Sequence, residues 1–190
     1  MFAAVNKEAL VYRSKSEILG FEDEVNAYFD EVLSQGKDRF KVMLDDFIKV
    51  LPDGKVVIGQ CTADAIRMCS TAPIDVAWHE AFHKITELLL SEKERDAIYS
   101  AYRNHIKDSE NMSERQIAEE LCDMYVEYMH NRYAYKGAKG LKKITAAYKR
   151  ITFAIGLMNR LGLLNSYKYI QYYRNINRGK YKTRTLSKEA

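Results

Sequence analysis

The feature that most constrains the fold is the helical patterning that follows Pro73, one of only two prolines in the chain. From there almost to the end, apolar residues recur at helical spacing, and little interrupts them. The first helix of this stretch ends near Ser91 and has one apolar face, formed by Ile74, Trp78, Phe82, Ile85 and Leu89. Further helices are predicted at 92–107, at 113–131 with Ser113 as the N-cap, at about 140–161 and at about 165–177. The C-terminal half is therefore predicted to be mostly helical.

The part before Pro73 mixes helix and strand signals. A helix is predicted from Gly20 to Gly36, and a strand at 39–44, although a helix face also fits 39–51. A turn at 52–54 leads into the β-branched run 56–58, and a further strand is predicted at 65–69. The sheet is therefore small, and the fold class is α+β.

The composition is typical of one folded domain, since 190 residues with 47% hydrophobic and 29% charged side chains can bury a sizeable core. No apolar run approaches the roughly 18 residues that a membrane span needs, and the N-terminus lacks the layout of a signal peptide. Cys61, Cys69 and Cys122 fit reduced thiols better than a disulfide framework. We therefore expect a cytoplasmic protein that has no membrane partner.

One short motif in the helix after Pro73 carries chemistry: His79-Glu80-Ala81-Phe82-His83, an H-E-x-x-H sequence. Residues four apart lie one above the other on a helix, so the two imidazoles can converge on one metal ion. The Glu beside the first His can then face the open coordination position. The alternative is a helix whose two histidines are ordinary hydrogen-bonded core or surface residues.

A catalytic zinc site needs a third protein ligand from another element. Glu119 and Asp123 are four residues apart on a helix about 36 residues downstream of His83. Glu119 can ligate the ion while Asp123 accepts a hydrogen bond from a ligand imidazole. Glu120 is the rival ligand, because a helix rotation of about 100° would bring it to the ion instead. The alternative is that these acids are only the solvated face of their helix.

Together, His79, Glu80, His83, Glu119 and Asp123 resemble the pattern of the gluzincin class of zincin metallopeptidases. The resemblance implies a short antiparallel sheet whose last strand, at 65–69, borders the cleft and pairs with an extended substrate. More narrowly, the sequences of 78–83 and 176–181 are similar to the small metallopeptidase domains of phage and mobile-element polyvalent proteins. We expect one zincin-like domain over 1–190: an N-terminal segment 1–53, a metal-site core 54–131, a basic helical part 132–181 and a disordered tail 182–190.

The resemblance implies one Zn²⁺ per chain, held by His79, His83 and Glu119, and hydrolysis of peptide bonds in a protein or peptide substrate. Zinc lowers the pKa of its bound water toward neutrality, and Glu80 takes the proton as that water attacks. No oxyanion donor stands out, and the available tyrosines are Tyr125, Tyr128, Tyr133 and Tyr135. His105 and His130 have no motif partners and are expected at the surface or at helix caps.

The formal net charge of +4 hides a division along the chain. Residues 131–190 hold 15 of the 30 Lys and Arg but only one of the 26 Asp and Glu, and they are rich in tyrosine. This mixture can bind phosphates and stack bases, so nucleic acid is a possible partner of residues 132–184. We favour a structural role in which the Tyr and Ile faces pack into the core. The alternative function is a catalytically inactive zincin-fold scaffold or a nucleic-acid-binding protein.

Overall fold

The computed structural model describes residues 2–6, 8, 10–33, 41–45, 49–61, 65–104, 106, 109–133, 141–161 and 163–184. The chain divides into two compact units. The first consists of residues 1–90 and 176–190, and the second of residues 91–175. The predicted single domain and its internal boundaries remain a prediction.

The first unit contains a small sheet of five strands: β1 (Phe2–Val5), β2 (Lys41–Asp45), β3 (Lys49–Val50), β4 (Val56–Cys61) and β5 (Ala65–Cys69). The strand order is β1-β4-β5-β2, and β3 pairs with β4. The pairs β1–β4, β3–β4 and β4–β5 are antiparallel. In the β4–β5 pair, Gly59 lies opposite Met68 and Cys61 opposite Ile66. The sheet is therefore mainly antiparallel.

The α+β class and the strand at 65–69 are confirmed, and the strand expected at 39–44 is present at 41–45. The expected antiparallel sheet is present except at one edge, where β2 pairs with β5 in parallel, with Val42 opposite Ile66. The expectation that strand 65–69 pairs with an extended substrate is wrong, because β5 lies between β4 and β2 and both of its edges are already paired. β1 and β3 were not predicted. Both strands are short, and a strand of two to four residues carries too little alternation to be recognised locally.

Helix α1 (Lys15–Leu33) buries one apolar stripe in the first unit, formed by Phe21, Val25, Tyr28, Phe29, Val32 and Leu33. It begins five residues before the predicted start because Ser14 and Glu17 cap it. The Ser14 hydroxyl and backbone N–H both donate to the Glu17 carboxylate, at 2.6 and 2.7 Å. These bonds hold the pKa of Glu17 below its usual value.

Helix α2 (Asp75–Lys84) follows Pro73, as predicted, and continues through one π-helical turn, Ile85–Leu89. The helix ends where the Leu90 N–H donates to the Ile85 carbonyl at 3.1 Å, one residue before the expected stop near Ser91. Ser91 then caps the next helix by accepting a bond from the Glu94 N–H. The chain therefore changes units at a well-defined helix break.

The second unit is helical in its described residues: α3 (Glu92–Arg103), a 3-10 turn (Ser109–Asn111), α4 (Glu114–Tyr133), α5 (Leu141–Leu161) and most of α6 (Leu163–Asn177). All four predicted helices are confirmed with small changes at their ends. Ser113 caps α4 as expected, since the Gln116 N–H donates to its hydroxyl at 3.3 Å. No helix among the described residues combines the length and apolar character that crossing a bilayer requires.

The expected burial of the basic end is confirmed for α6 and wrong for much of α5. Tyr169, Tyr172 and Tyr173 are buried, and the Tyr169 hydroxyl donates to the Ile98 carbonyl at 2.7 Å. The exposed large residues of α5 are Tyr148, Ile151, Ile155 and Met158, and on α6 Tyr167 is exposed as well. α5 carries more apolar residues than one packed helix face can cover, so the remaining apolar side chains lie in solvent.

The C-terminal turn after α6 belongs to the first unit. Gly179 has a positive φ of 64° and lies against the Glu31 carbonyl, and Tyr181 is buried. The Arg184 guanidinium lies over the Tyr181 ring and donates to the Leu89 carbonyl at 3.2 Å. Residues 182–184 of the predicted disordered tail are thus held in hydrogen-bonded turns, and 185–190 lie outside the described residues.

Candidate metal centre

The H-E-x-x-H motif lies on α2, a helix that is buried on most of its circumference. Within the first unit α2 packs against β4, β5 and α1. His79 is half-buried, whereas Glu80 and His83 are 0% and 1% exposed. The neighbouring Ala81 and Phe82 are also fully buried. The motif therefore occupies the interior of its unit rather than a solvated helix face.

The two imidazoles of the motif converge. The Nε2 atoms of His79 and His83 are 3.0 Å apart, and the ring centroids are 4.7 Å apart with an angle of 69° between the planes. The cause is local, because residues four apart stack on consecutive turns of a helix. Both rings present the same nitrogen to one point, and the 3.0 Å distance is also that of a hydrogen bond between the rings, so the alternative of two hydrogen-bonded histidines fits this contact as well.

This arrangement fits a zinc ion. Tetrahedral coordination with Zn–N bonds of about 2.0–2.1 Å separates two nitrogen ligands by roughly 3.3 Å, a few tenths of an ångström more than the observed distance. Neutral imidazole nitrogens are the ligand type that zinc prefers alongside thiolates and carboxylates. His79 and His83 are among the side chains of this chain that could hold a metal ion.

Both ends of the motif helix are held by residues distant in the sequence. Before the helix, the Val11 N–H donates to the Thr71 carbonyl and the Arg13 guanidinium to the Ser70 carbonyl, each at 2.8 Å. Arg13 also lies 3.9 Å from the centroid of the Phe21 ring, which joins this segment to α1. After the helix, Arg184 donates to the carbonyl of Leu89. These contacts fix the direction of α2 and hence the position of its histidines.

Glu80 is the one acidic side chain among the described residues that is buried. Burial of a carboxylate is costly unless it is paired or hydrogen-bonded. Glu80 directly follows His79 and is therefore rotated from it by about 100° around the helix axis. The Glu80 carboxylate thus lies beside the imidazole pair rather than in line with it. A base in this position can accept a proton from a group held by the two imidazoles.

The predicted third ligand and its alternatives lie on α4, in the second unit. Glu119 is half-buried, whereas Glu120 and Asp123 are exposed. Cys122 is fully buried and reduced, and sequence analysis gave it no role in the site. Cys122 lies three residues after Glu119, so the two share one helix face. Because zinc also binds thiolates, this spacing makes Cys122 a further candidate ligand. The assignment of Glu119 and Asp123 remains a prediction.

The other sequence candidates are placed as follows. Tyr125 is buried and Tyr128 half-buried on α4, where their rings stack with centroids 6.2 Å apart. The side chain of Tyr133 and all of Tyr135 lie outside the described residues. His130 is exposed, as expected, and His105 lies outside the described residues.

No protein-family model matches the chain, and no curated protein or solved structure is significantly similar to it.

Proposed function

We propose that this protein is a zinc-dependent metallopeptidase that hydrolyses peptide bonds in a protein or peptide substrate. The observation that carries the proposal is the 3.0 Å separation of the His79 and His83 Nε2 atoms on a buried helix. Two imidazoles that share one focal point, next to a buried carboxylate, are what metal-assisted hydrolysis requires. The resemblance of the sequence to gluzincins points to the same chemistry.

The residues of the proposed site have separate roles. His79 and His83 hold the ion, and a bound zinc would polarise the scissile carbonyl and acidify a water molecule. Glu80 accepts the proton of the attacking water and returns it to the leaving amine. Burial of Glu80 and His83 limits their contact with bulk water, which strengthens electrostatic interactions within the site.

The third ligand in this proposal comes from the E-x-x-x-D helix, with Glu119 preferred and Glu120 as its rival. Glu119 is the less exposed of these two, which suits a ligand better than a solvated carboxylate. Asp123 orients a ligand imidazole, and Cys122 enters as an alternative ligand because zinc binds thiolates readily. Alanine variants of Glu119 and Glu120, and Cys122→Ser, distinguish these choices by zinc stoichiometry.

The decisive experiment is Glu80→Gln, which keeps the size of the side chain and removes its basicity. We expect the variant to fold, to keep one zinc per chain by elemental analysis, and to lose proteolysis by about 10²–10⁴-fold. Glu87→Gln is the matched control, since it removes one carboxylate from the same continuous helix outside the motif. Cleavage of a peptide library, followed by mass spectrometry, measures the activity of all three proteins.

Two results would refute the proposal. Equal cleavage by wild type and Glu80→Gln would exclude Glu80 as the base. Zinc binding without cleavage by any of the proteins would favour the catalytically inactive zincin-fold scaffold. The proposed setting, the cytoplasm of a bacterial or phage-infected cell, rests on the sequence alone.

A further inference from the structure

A separate cavity lies in the second unit, among helices α4, α5 and α6, and has no part in the proposed metal centre. Its volume is about 330 Å³. This is at the lower end of the range of roughly 300–1,000 Å³ that small-molecule sites occupy. It therefore has room for one small organic ligand.

The polar wall of this cavity is formed by Asn131 and by three arginines, one from each helix: Arg132 on α4, Arg150 on α5 and Arg174 on α6. None of the described residues that line it is acidic. Three positively charged side chains on one wall attract an anionic ligand. Guanidinium groups are planar, always charged and able to donate two parallel hydrogen bonds to one phosphate or carboxylate.

The apolar wall consists of aromatic rings held in place by their neighbours. Phe153 and Tyr128 line the cavity, and their ring centroids are 6.1 Å apart. Tyr128 in turn packs on Tyr125 and Tyr173, at 6.2 and 5.7 Å. The Tyr173 hydroxyl donates to the Leu121 carbonyl at 3.1 Å, which anchors this cluster to α4. The wall is thus a preformed surface for a flat or apolar group.

We propose that this cavity binds a small organic phosphate whose phosphoryl group faces the arginines and whose planar group lies on the aromatic wall, the chemistry of a nucleoside phosphate. The two halves of the cavity recognise the two halves of such a ligand. Inorganic phosphate would satisfy only the arginines, and an uncharged nucleoside only the rings. A nucleic-acid strand would spread its contacts over the exposed basic residues of 131–184 rather than depend on one cavity.

The probes for the test are AMP, ATP, adenosine and inorganic phosphate, titrated into the full chain by isothermal calorimetry. We expect saturable binding of AMP or ATP at one site per chain, and binding of adenosine weaker by about tenfold or more. Arg150→Gln and Arg174→Gln should each weaken nucleotide binding by about tenfold or more. Lys168→Gln is the matched control: it removes one positive charge from an exposed position on α6 and should leave the affinity unchanged.

Phe153→Leu tests the aromatic wall, since it should weaken nucleotide binding by about fivefold or more and leave phosphate binding unchanged. Arg150 is exposed, so its variant should fold, and unchanged melting curves verify that. No saturable nucleotide binding below about 1 mM would overturn the proposal. So would binding of a single-stranded oligonucleotide alone, with equal losses in Lys168→Gln and the arginine variants.

Discussion

Gly179→Ala tests whether the C-terminal turn is packed against α1 as the structure shows. Gly179 has a φ of +64°, and a Cβ at this position would overlap the Glu31 carbonyl oxygen and lie 2.9 Å from Lys182 Cδ. The left-handed conformation costs a residue with a side chain about 1–2 kcal/mol. The steric overlap adds about 1–3 kcal/mol, because the obstacle is backbone rather than a flexible side chain.

Alanine also reduces the entropy of the unfolded chain, which offsets about 0.4–1 kcal/mol of this cost. From the midpoints of these ranges, the net expectation is a loss of about 3 kcal/mol in the free energy of unfolding. Gly54→Ala is the matched control in the same unit: its φ is +85°, and nothing lies within 4 Å of the added Cβ. That variant should lose only about 1 kcal/mol.

Gly20→Ala should act in the opposite direction. Gly20 lies inside α1 with open space around the added Cβ, so alanine should stabilise the first unit by about 0.5–1 kcal/mol.

Trp78, the single tryptophan, is buried in α2, and its fluorescence during urea unfolding reports on the stability of the first unit in all three glycine variants. A loss in Gly179→Ala no larger than that in Gly54→Ala would refute the packing of the turn on the Glu31 carbonyl.

Two further predictions concern the second unit. Burial raises the pKa of Tyr169, so the folded state binds this proton more tightly than the unfolded chain. Its stabilising effect is full below the ordinary tyrosine pKa of about 10 and is lost as the pH rises further. At neutral pH, Tyr169→Phe should be less stable than the wild type by about 0.5–1.5 kcal/mol, because it loses the hydrogen bond to the Ile98 carbonyl. As the pH rises above about 10, the variant should lose less stability than the wild type does, because it has no phenol to ionise. Urea unfolding followed by far-UV circular dichroism measures both differences. Asp123→Ala should weaken zinc binding by about 10–100-fold in a chelator competition assay, and an unchanged affinity would remove Asp123 from the site.

Most helices were predictable because their signals are local. The Ser113 cap of α4 and the strand at 65–69 can be read from neighbouring residues alone. Strand pairing is different: β2 and β5 are separated by about 20 residues, and the direction in which they pair depends on where the intervening chain places them. The burial of α6 and the exposure of much of α5 were equally beyond local patterning, since both helices carry several large apolar or aromatic residues and only the packing decides which of them are covered.

For the candidate metal centre, the sequence by itself determined that His79 and His83 share one face of a helix, whereas the 3.0 Å approach of their Nε2 atoms also depends on the side-chain rotamers. The helical repeat places residues four apart on one face, whatever the helix packs against. Only the tertiary structure decided that Glu80 is buried, because burial depends on the sheet and helix packed around α2. The arginine-lined cavity is likewise a tertiary property: Arg132, Arg150 and Arg174 are 18 and 24 residues apart in the sequence, and only the packing of three helices brings them to one wall.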